Sequence, residues 1–186
     1  MRILHTSDWH LGQNFYSKSR AAEHEAFLNW LLETAQADEV DAIIVAGDIF
    51  DTGSPPSYAR ELYNRFVVNL QQTGCHLVIV AGNHDSVATL NESRDILAFL
   101  NTTVVASVGH APQILKKRDG TPGAVLCPIP FLRPRDIVQS QAGLSGSEKQ
   151  QHLLQAITRY YHQQHTEACA LRGEQARQPR DLLEAQ

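Results

Sequence analysis

The sequence has few cysteines, no large excess of positive or negative charge and no long apolar run, and each of these features excludes a class of protein. Its 3 cysteines are odd in number and far apart in the chain, so we expect neither a disulfide framework nor a zinc site. A net charge of −4 argues against a uniformly basic coat for nucleic acid, although it allows a local basic patch. No apolar run approaches the roughly 20 residues of a transmembrane helix, so we expect no membrane partner.

A secretion signal is also missing, because the amino terminus reaches the acidic Asp8 before any long apolar segment. Together with the unpaired cysteines, this predicts a cytoplasmic protein. The 186 residues, of which 42% are hydrophobic, suit one globular domain that can bury a core.

Three apolar stretches end in polar residues that have ligand or proton-transfer chemistry. The stretches cover residues 3–7, 42–46 and 77–81, and the polar residues that follow are Asp8 and His10, Asp48 and Asp51, and Asn83, His84 and Asp85. The second and third stretches are rich in β-branched residues, which is typical of buried parallel strands. Open α/β sheets build their sites at the carboxyl ends of such strands, so these polar residues are predicted to meet.

Helical patterns separate the three stretches. Apolar residues recur at helical spacing from His24 to Ala35 and again from Ala59 to Leu70, and a third helix is predicted at about 89–100. A loop is expected from Gly12 to about Ser19. This alternation predicts an α/β fold with a parallel sheet and right-handed crossovers. Short strands are predicted at 103–106, 113–116 and 124–129, followed by a long helix from 147 to about 170, with Leu154 and Tyr161 among the residues facing the core.

The clustered residues suggest a metal site. Aspartate, asparagine and histidine supply the oxygen and imidazole ligands that hold Mn²⁺, Fe or Zn, and Asp48 on the middle segment is the best candidate for a bridging carboxylate. Two ions in such a site can hold a phosphate and activate a water. His84 would stand beside them and protonate the leaving oxygen. Asp51 and Asp85 are candidates for orienting the histidines.

The alternative is that these residues cap helices or form turns, as aspartate and asparagine often do. For any one segment alone, a cap or a turn is the better interpretation. Three such segments in register at strand ends favour a metal site instead. Arg133 and Arg135, close to several prolines, are either solvated or in contact with phosphates.

Three segments of the chain resemble the calcineurin-like metallophosphoesterases. They are residues 5–12 (His-Thr-Ser-Asp-Trp-His-Leu-Gly), 47–51 (Gly-Asp-Ile-Phe-Asp) and 82–85 (Gly-Asn-His-Asp). The resemblance implies that fold, a β-sandwich flanked by helices, of which this chain would hold the N-terminal portion. It also implies metal ligation by Asp8, His10, Asp48 and Asn83, two divalent ions (Mn²⁺) in the full-length family, and His84 as the catalytic histidine.

Residues 55–57 and 128–134 narrow the resemblance to DNA nuclease subunits within that superfamily. These proteins cut double-strand ends and hairpins, work with an ATPase subunit, and form homodimers through helices of the first half. The resemblance therefore implies DNA, an ATPase subunit and a second copy of the chain as partners, and roles in DNA recombination, replication and repair.

The end of the chain departs from this pattern. The family has further histidine ligands after the long helix, whereas residues 174–186 contain no histidine and no apolar strand. We therefore expect a truncated nuclease domain over 1–173, inactive alone, with an atypical and disordered tail over 174–186. Two other readings stay open, namely a phosphodiesterase or phosphatase for small substrates, and a catalytically dead dimerisation fragment.

Overall fold

The computed structural model describes residues 1–139, 143 and 145–184, and for 176–184 it describes the backbone alone. In chain order the elements are β1 (Ile3–Thr6), β2 (Asn14–Phe15), β3 (Lys18–Ser19), α1 (Ala21–Ala37), β4 (Ala42–Ala46), α2 (Ser57–Gln71), β5 (His76–Val80), α3 (Val87–Asn91), α4 (Arg94–Ala98), β6 (Thr102–Val105), β7 (Gln113–Lys116), β8 (Pro122–Leu126), α5 (Pro134–Ile137) and α6 (Gly146–Glu184).

A four-stranded parallel sheet in the order β1-β4-β5-β6 forms the centre of the molecule. The inner strands β4 and β5 are mostly buried, which explains why their sequences are continuous apolar runs rather than alternating ones. β1 lies at one edge and is half-exposed. Because all four strands run the same way, the segments that follow them emerge at one edge of the sheet.

Helices α1 and α2 cover one face of this sheet. The buried side chains of α1 are His24, Leu28, Leu31 and Ala35, and those of α2 are Ala59, Leu62, Tyr63, Phe66, Val67 and Leu70. Both sets recur at the 3.6-residue period that predicted these helices, because only one stripe of each helix faces the sheet. Trp9 joins this core through edge contacts with Phe27 and Phe66.

The second face of the sheet is covered by the antiparallel pair β7–β8. Leu115 is buried against Ala42, Val78 and Val80, with Leu126 partly buried beside them. Arg118, in the turn between β7 and β8, donates hydrogen bonds to the carbonyls of Val40 and Ala35 at 3.0 and 2.9 Å. The expected α/β fold is therefore confirmed, with helices on one face of the parallel sheet and a small second sheet on the other.

Three local predictions differ from the structure. The predicted loop after Gly12 contains the hairpin β2–β3, and the predicted helix over 89–100 is split into α3 and α4. The main packing partners of α6 among the regular elements of the described chain are β8 and α5. Leu154 and Tyr161, predicted to face a core, are 57% and 53% exposed for that reason.

α6 also continues beyond its predicted end, since the backbone is helical through Glu184. The predicted division of the chain into a domain and a separate tail at 173 stays a prediction. The last two residues of that tail, 185 and 186, lie outside the described residues. Within the described part of the chain, no helix combines the length and the apolar character needed to cross a membrane.

Candidate metal centre

Backbone hydrogen bonds hold together the first two of the three polar segments that follow β1, β4 and β5. The Asp8 amide donates to the Gly47 carbonyl at 3.1 Å, and the His10 amide donates to the Asp48 carbonyl at 2.9 Å. The Gly47 amide donates in turn to the carbonyl of Val80 in the third strand at 2.8 Å. The sheet's hydrogen bonding thus continues past the strand ends, and the candidate side chains are delivered from a rigid edge.

Two glycines allow the second and third segments to approach closely. A Cβ built on Gly82 would lie 2.1 Å from the Asp48 Oδ1 atom and 2.3 Å from its amide nitrogen. Gly47 has a φ of 92°, a conformation that side chains rarely adopt, and a Cβ there would lie 3.4 Å from the Gly82 Cα. The carboxylate of Asp48 reaches its position because Gly82 has no side chain.

Asp8, His10 and Asp48 form one compact group of potential ligands. The Nε2 atom of His10 lies 4.0 Å from the Asp8 Oδ1 atom and 3.8 Å from the Asp48 Oδ2 atom. One potential ligand atom from each residue lies within 4.8 Å of the others. Two carboxylates and an imidazole at this spacing fit a divalent transition metal, whose ligands in proteins are of these types.

Asn83 lines the same cleft as two of these residues. It is exposed, and with Asp8 and Asp48 it lines a cleft of about 430 Å³ that also includes Phe131 and Tyr161. All four predicted ligands are thus at one edge of the sheet.

The backbone is strained at three of the four predicted ligands. Asp8, His10 and Asp48 have φ values of 54°, 45° and 48°, in the left-handed region that few residues other than glycine adopt. Such conformations persist only where surrounding structure enforces them, and they cluster at functional sites. The interlocked backbone hydrogen bonds of the first two segments supply that enforcement here.

Asp51 lies between His10 and His84. Its Oδ1 atom lies 3.3 Å from the His10 Nδ1 atom, although without the geometry of a hydrogen bond. Its backbone carbonyl is 2.9 Å from the His84 Nδ1 atom, and the two imidazole rings meet edge to face at 5.1 Å. His10, Asp51 and His84 are also close enough to hold a metal. The hydrogen bond to the Asp51 carbonyl raises the pKa of the exposed His84, with nearby carboxylates adding to the effect.

Asp85 is buried and accepts hydrogen bonds from three backbone amides. The donors are Gly82 at 2.8 Å, Phe50 at 3.0 Å and Ile49 at 3.2 Å. Burial raises the pKa of this carboxyl, and the three amides oppose that shift. Asp85 therefore joins the second segment to the third, while the Asp48 Oδ1 atom accepts from the His84 amide at 3.0 Å. The hydrogen bonds of the Asp85 carboxylate reach no histidine side chain. They hold the backbone in place rather than orienting an imidazole.

Arg133 contributes to the site in a way that sequence analysis missed. Its Nη2 atom donates to the carbonyls of Asp85 at 2.7 Å and Gly82 at 3.4 Å, the two residues that bracket Asn83 and His84. The Phe131 amide adds a bond to the Ala81 carbonyl at 2.9 Å. In the sequence, Arg133 stands out only as an arginine among prolines. That pattern does not reveal which carbonyls its side chain contacts. By contrast, the Arg135 side chain is 77% exposed and pairs with its neighbour Asp136.

The chain is similar to known phosphoesterases over most of its length. The family model described as calcineurin-like phosphoesterase matches residues 1–160. A protein named as the SbcD subunit of the nuclease SbcCD, from Escherichia coli (strain K12), is 85% identical over 175 residues, which cover 94% of this chain and 44% of that relative. Proteins of the same name from Rhodobacter capsulatus and Bacillus subtilis are 37% identical over 148 residues and 42% identical over 97 residues.

The bacterial relatives are considerably longer than this chain. The chain covers 44% of the Escherichia coli protein, and its match to the Rhodobacter capsulatus protein covers 74% of the chain and 36% of that relative. The similarity therefore concerns less than half of the length of each of these two relatives.

Proposed function

The chain belongs to the calcineurin-like phosphoesterase family, and on that premise we propose that it provides the metal-binding edge of a DNA phosphodiesterase. Asp8, His10, Asp48 and Asn83 would hold divalent metal, and we propose Mn²⁺ among the metals that such ligands accept. The observation that carries this proposal is the cluster of Asp8, His10 and Asp48 at the strand ends, within 4.8 Å of one another.

A bound divalent metal would polarise a phosphate oxygen and lower the pKa of a water. The residues of the chain prepare the site for that chemistry. Asp48 is buried and its Oδ1 atom already accepts from the His84 amide, so Oδ2 is the atom directed towards His10. Asp51 faces the Nδ1 atom of His10, which leaves Nε2 on the side of Asp8 and Asp48. We propose that Asp51 orients His10 from this position, as carboxylates do for ligand histidines.

His84 is the proposed general acid. Its Nδ1 atom is held by the Asp51 carbonyl, so the opposite edge of the exposed ring is free to meet a leaving oxygen. Its raised pKa keeps a larger fraction of the imidazole protonated near neutral pH, which a proton donor requires. Asp85 and Arg133 would keep the backbone of Asn83 and His84 in place from two sides.

The proposed substrate and partners follow from the relatives. The proteins that match over most of this chain are named as nuclease subunits of a complex called SbcCD, so we propose DNA as the substrate and the SbcC ATPase as a partner. We also propose a homodimer through helices of the first half. Free Cys75, Cys127 and Cys169 agree with the reducing conditions of the cytoplasm, where we propose that the protein acts.

A metal titration tests the ligand assignment on the chain itself. We expect calorimetry to find one weakly bound Mn²⁺ per chain, with an affinity that falls as the pH is lowered because protons compete for the ligands. Asp48→Asn should reduce the affinity more than tenfold, whereas Asp95→Asn, at an exposed position on α4, should leave it within twofold. Two tight sites per chain, or equal effects of the two substitutions, would contradict the proposal.

A cleavage assay tests the role of His84. A chimera that continues residue 173 with the remaining sequence of the Escherichia coli relative should cut linear duplex DNA with Mn²⁺, and the chain alone should cut negligibly. In that chimera His84→Ala should lose at least a hundredfold in rate, the typical contribution of a general acid, while Mn²⁺ and DNA binding persist. Hydrolysis of small phosphodiesters without DNA cleavage would favour the small-substrate alternative.

A further inference from the structure

The hairpin β2–β3, which follows the first polar segment, exposes two adjacent aromatic rings. Phe15 is 65% exposed and Tyr16 is 88% exposed, and their rings meet edge to face at 4.6 Å. Tyr16 and Ser17 form the turn with φ values of 46° and 61°. Two-residue turns with both φ values positive normally contain asparagine and glycine. Tyr16 is exposed, so burial of its ring does not offset the cost of this backbone conformation. Its exposure therefore calls for a functional explanation.

The hairpin is fastened to the residues that position the histidines. The Gln13 amide donates to the His10 carbonyl at 3.0 Å, and its side-chain Nε2 atom lies 3.4 Å from the Asp51 Oδ1 atom. Arg20, at the other end of the hairpin, donates through Nη1 to the Gln13 Oε1 atom at 2.8 Å. Phe15 is only two residues from Gln13, about 7 Å of extended chain. The aromatic pair therefore follows directly on a residue that contacts both His10 and Asp51.

The charge of this segment suits a nucleic acid. Residues 11–22 contain Lys18 and Arg20 and no acidic residue, although the whole chain has a net charge of −4. A local excess of positive charge beside exposed aromatic rings is the combination that binds single-stranded nucleic acid, in which cations track phosphates and rings stack on bases.

We propose that the hairpin is a stacking platform for an unpaired base of the DNA whose backbone enters the metal centre. This inference rests on the proposed function and specifies it, because it assigns the preferred substrate as DNA with a frayed or single-stranded end. A base stacked on Phe15 or Tyr16 would hold the adjoining phosphates close to Asp8 and His10. Stacking needs no sequence readout, since every base has a flat face.

A binding experiment on the chain tests the platform. The probe is a duplex with a short single-stranded tail that carries 2-aminopurine at the first unpaired position, in buffer without Mn²⁺. Binding should quench its fluorescence. The double variant Phe15→Ala/Tyr16→Ala should lose the quenching and weaken binding tenfold or more, while the salt dependence of binding stays unchanged. Phe99→Ala is the matched control, because Phe99 is also 88% exposed, and it should bind within twofold of the parent chain.

Further variants separate base stacking from a plain apolar contact and from a protein contact. Phe15→Leu/Tyr16→Leu keeps apolar bulk without a flat ring, and it should bind as weakly as the alanine variant. Retained binding by the leucine variant, equal binding by the alanine variant and Phe99→Ala, or no quenching by the parent chain would each overturn the proposal. A change in sedimentation mass on alanine substitution, with DNA affinity unchanged, would assign the hairpin to a protein contact and overturn it as well.

The Mn²⁺ titration distinguishes this proposal from the proposed function. The hairpin variants should bind Mn²⁺ as the parent chain does, because Phe15 and Tyr16 supply no ligand. Quenching through the aromatic pair in a chain that binds no Mn²⁺ would support the platform and refute the metal site. Normal Mn²⁺ binding with no effect of the aromatic substitutions on DNA binding would support the metal site and refute the platform.

Discussion

Gly82 determines how closely the third polar segment approaches Asp48. We expect Gly82→Ala to lower the free energy of unfolding by about 1–3 kcal/mol, the usual cost of forcing extra volume into a packed site. It should also reduce Mn²⁺ affinity at least tenfold, because the new methyl group would occupy the position of the Asp48 carboxylate. Urea unfolding and calorimetry are the measurements.

Gly53→Ala is the matched control for this substitution. A Cβ at Gly53 would lie 3.4 Å from the Ser86 Cβ, an ordinary contact, so stability and affinity should be nearly unchanged. If Gly82→Ala behaved like this control, the close approach of the two segments would have no role in the site.

Arg133 and Arg135 are two residues apart and offer a matched pair of arginine substitutions. Arg133→Met should cost about 1–3 kcal/mol of stability, because it leaves the carbonyls of Gly82 and Asp85 without a charged donor. Because residues 82–85 would then be held less firmly, the variant should also bind Mn²⁺ more weakly. Arg135→Met should change stability by less than about 0.5 kcal/mol, as is usual at an exposed position. Equal effects in urea unfolding would show that the carbonyl contacts of Arg133 contribute nothing.

The side chain of Arg118 contributes two hydrogen bonds to the attachment of the hairpin β7–β8 at its turn, beside the bond from its amide to the Asp41 carboxylate. Arg118→Met removes the donors to the Ala35 and Val40 carbonyls, which join the hairpin to the end of α1 and the start of β4. We expect amide hydrogen exchange in residues 113–126 to accelerate by a factor of ten or more, while β4 and β5 keep their protection. Lys116→Met, at an exposed position of β7, is the control and should leave exchange unchanged.

The elements themselves differ in how far local sequence predicted them. The apolar residues that recur at helical spacing from Ala59 to Leu70 are buried, because α2 meets the sheet along one continuous stripe. α6 carries a similar apolar pattern but packs mainly on β8 and α5 among the described regular elements, and Leu154 and Tyr161 remain exposed. Periodicity identifies the stripe, and the neighbouring elements decide whether it is covered.

The stability of the whole molecule should fall on mild acidification. Burial lowers the pKa values of His24, His76 and His110 below their ordinary 6.5 in the folded chain. Their contribution to stability is therefore complete above about pH 6.5, and it is lost as the pH falls towards the folded values. We expect the urea midpoint at pH 5.5 to lie below that at pH 7.5.

Histidine titration by NMR checks the cause of this pH dependence. His24, His76 and His110 should titrate below 6.5, and His84 should titrate above it. The contribution of His84 has the opposite sign, being present below pH 6.5 and lost as the pH rises through its raised pKa, but solvent screens this exposed group. A midpoint that is constant between pH 5.5 and 7.5 would contradict the assignment.

The amino-acid sequence by itself determined the two long helices α1 and α2, the parallel strands that lead to the site, and which polar residues meet at the edge of the sheet. Hydrophobic periodicity is a local property, and parallel strands place their carboxyl ends together whatever the details of packing. This is why Asp8, His10, Asp48, Asn83 and His84 could be named before their distances were known.

Only the tertiary structure decided how those residues are held. The left-handed backbone at Asp8, His10 and Asp48, the fit of Asp48 against Gly82, and the contacts of Arg133 join segments that are remote in sequence. No local pattern encodes these contacts, because each depends on the relative placement of at least two packed elements. The exposed aromatic turn of β2–β3 is a further example, since neither Tyr16 nor Ser17 is a residue that predicts a positive φ.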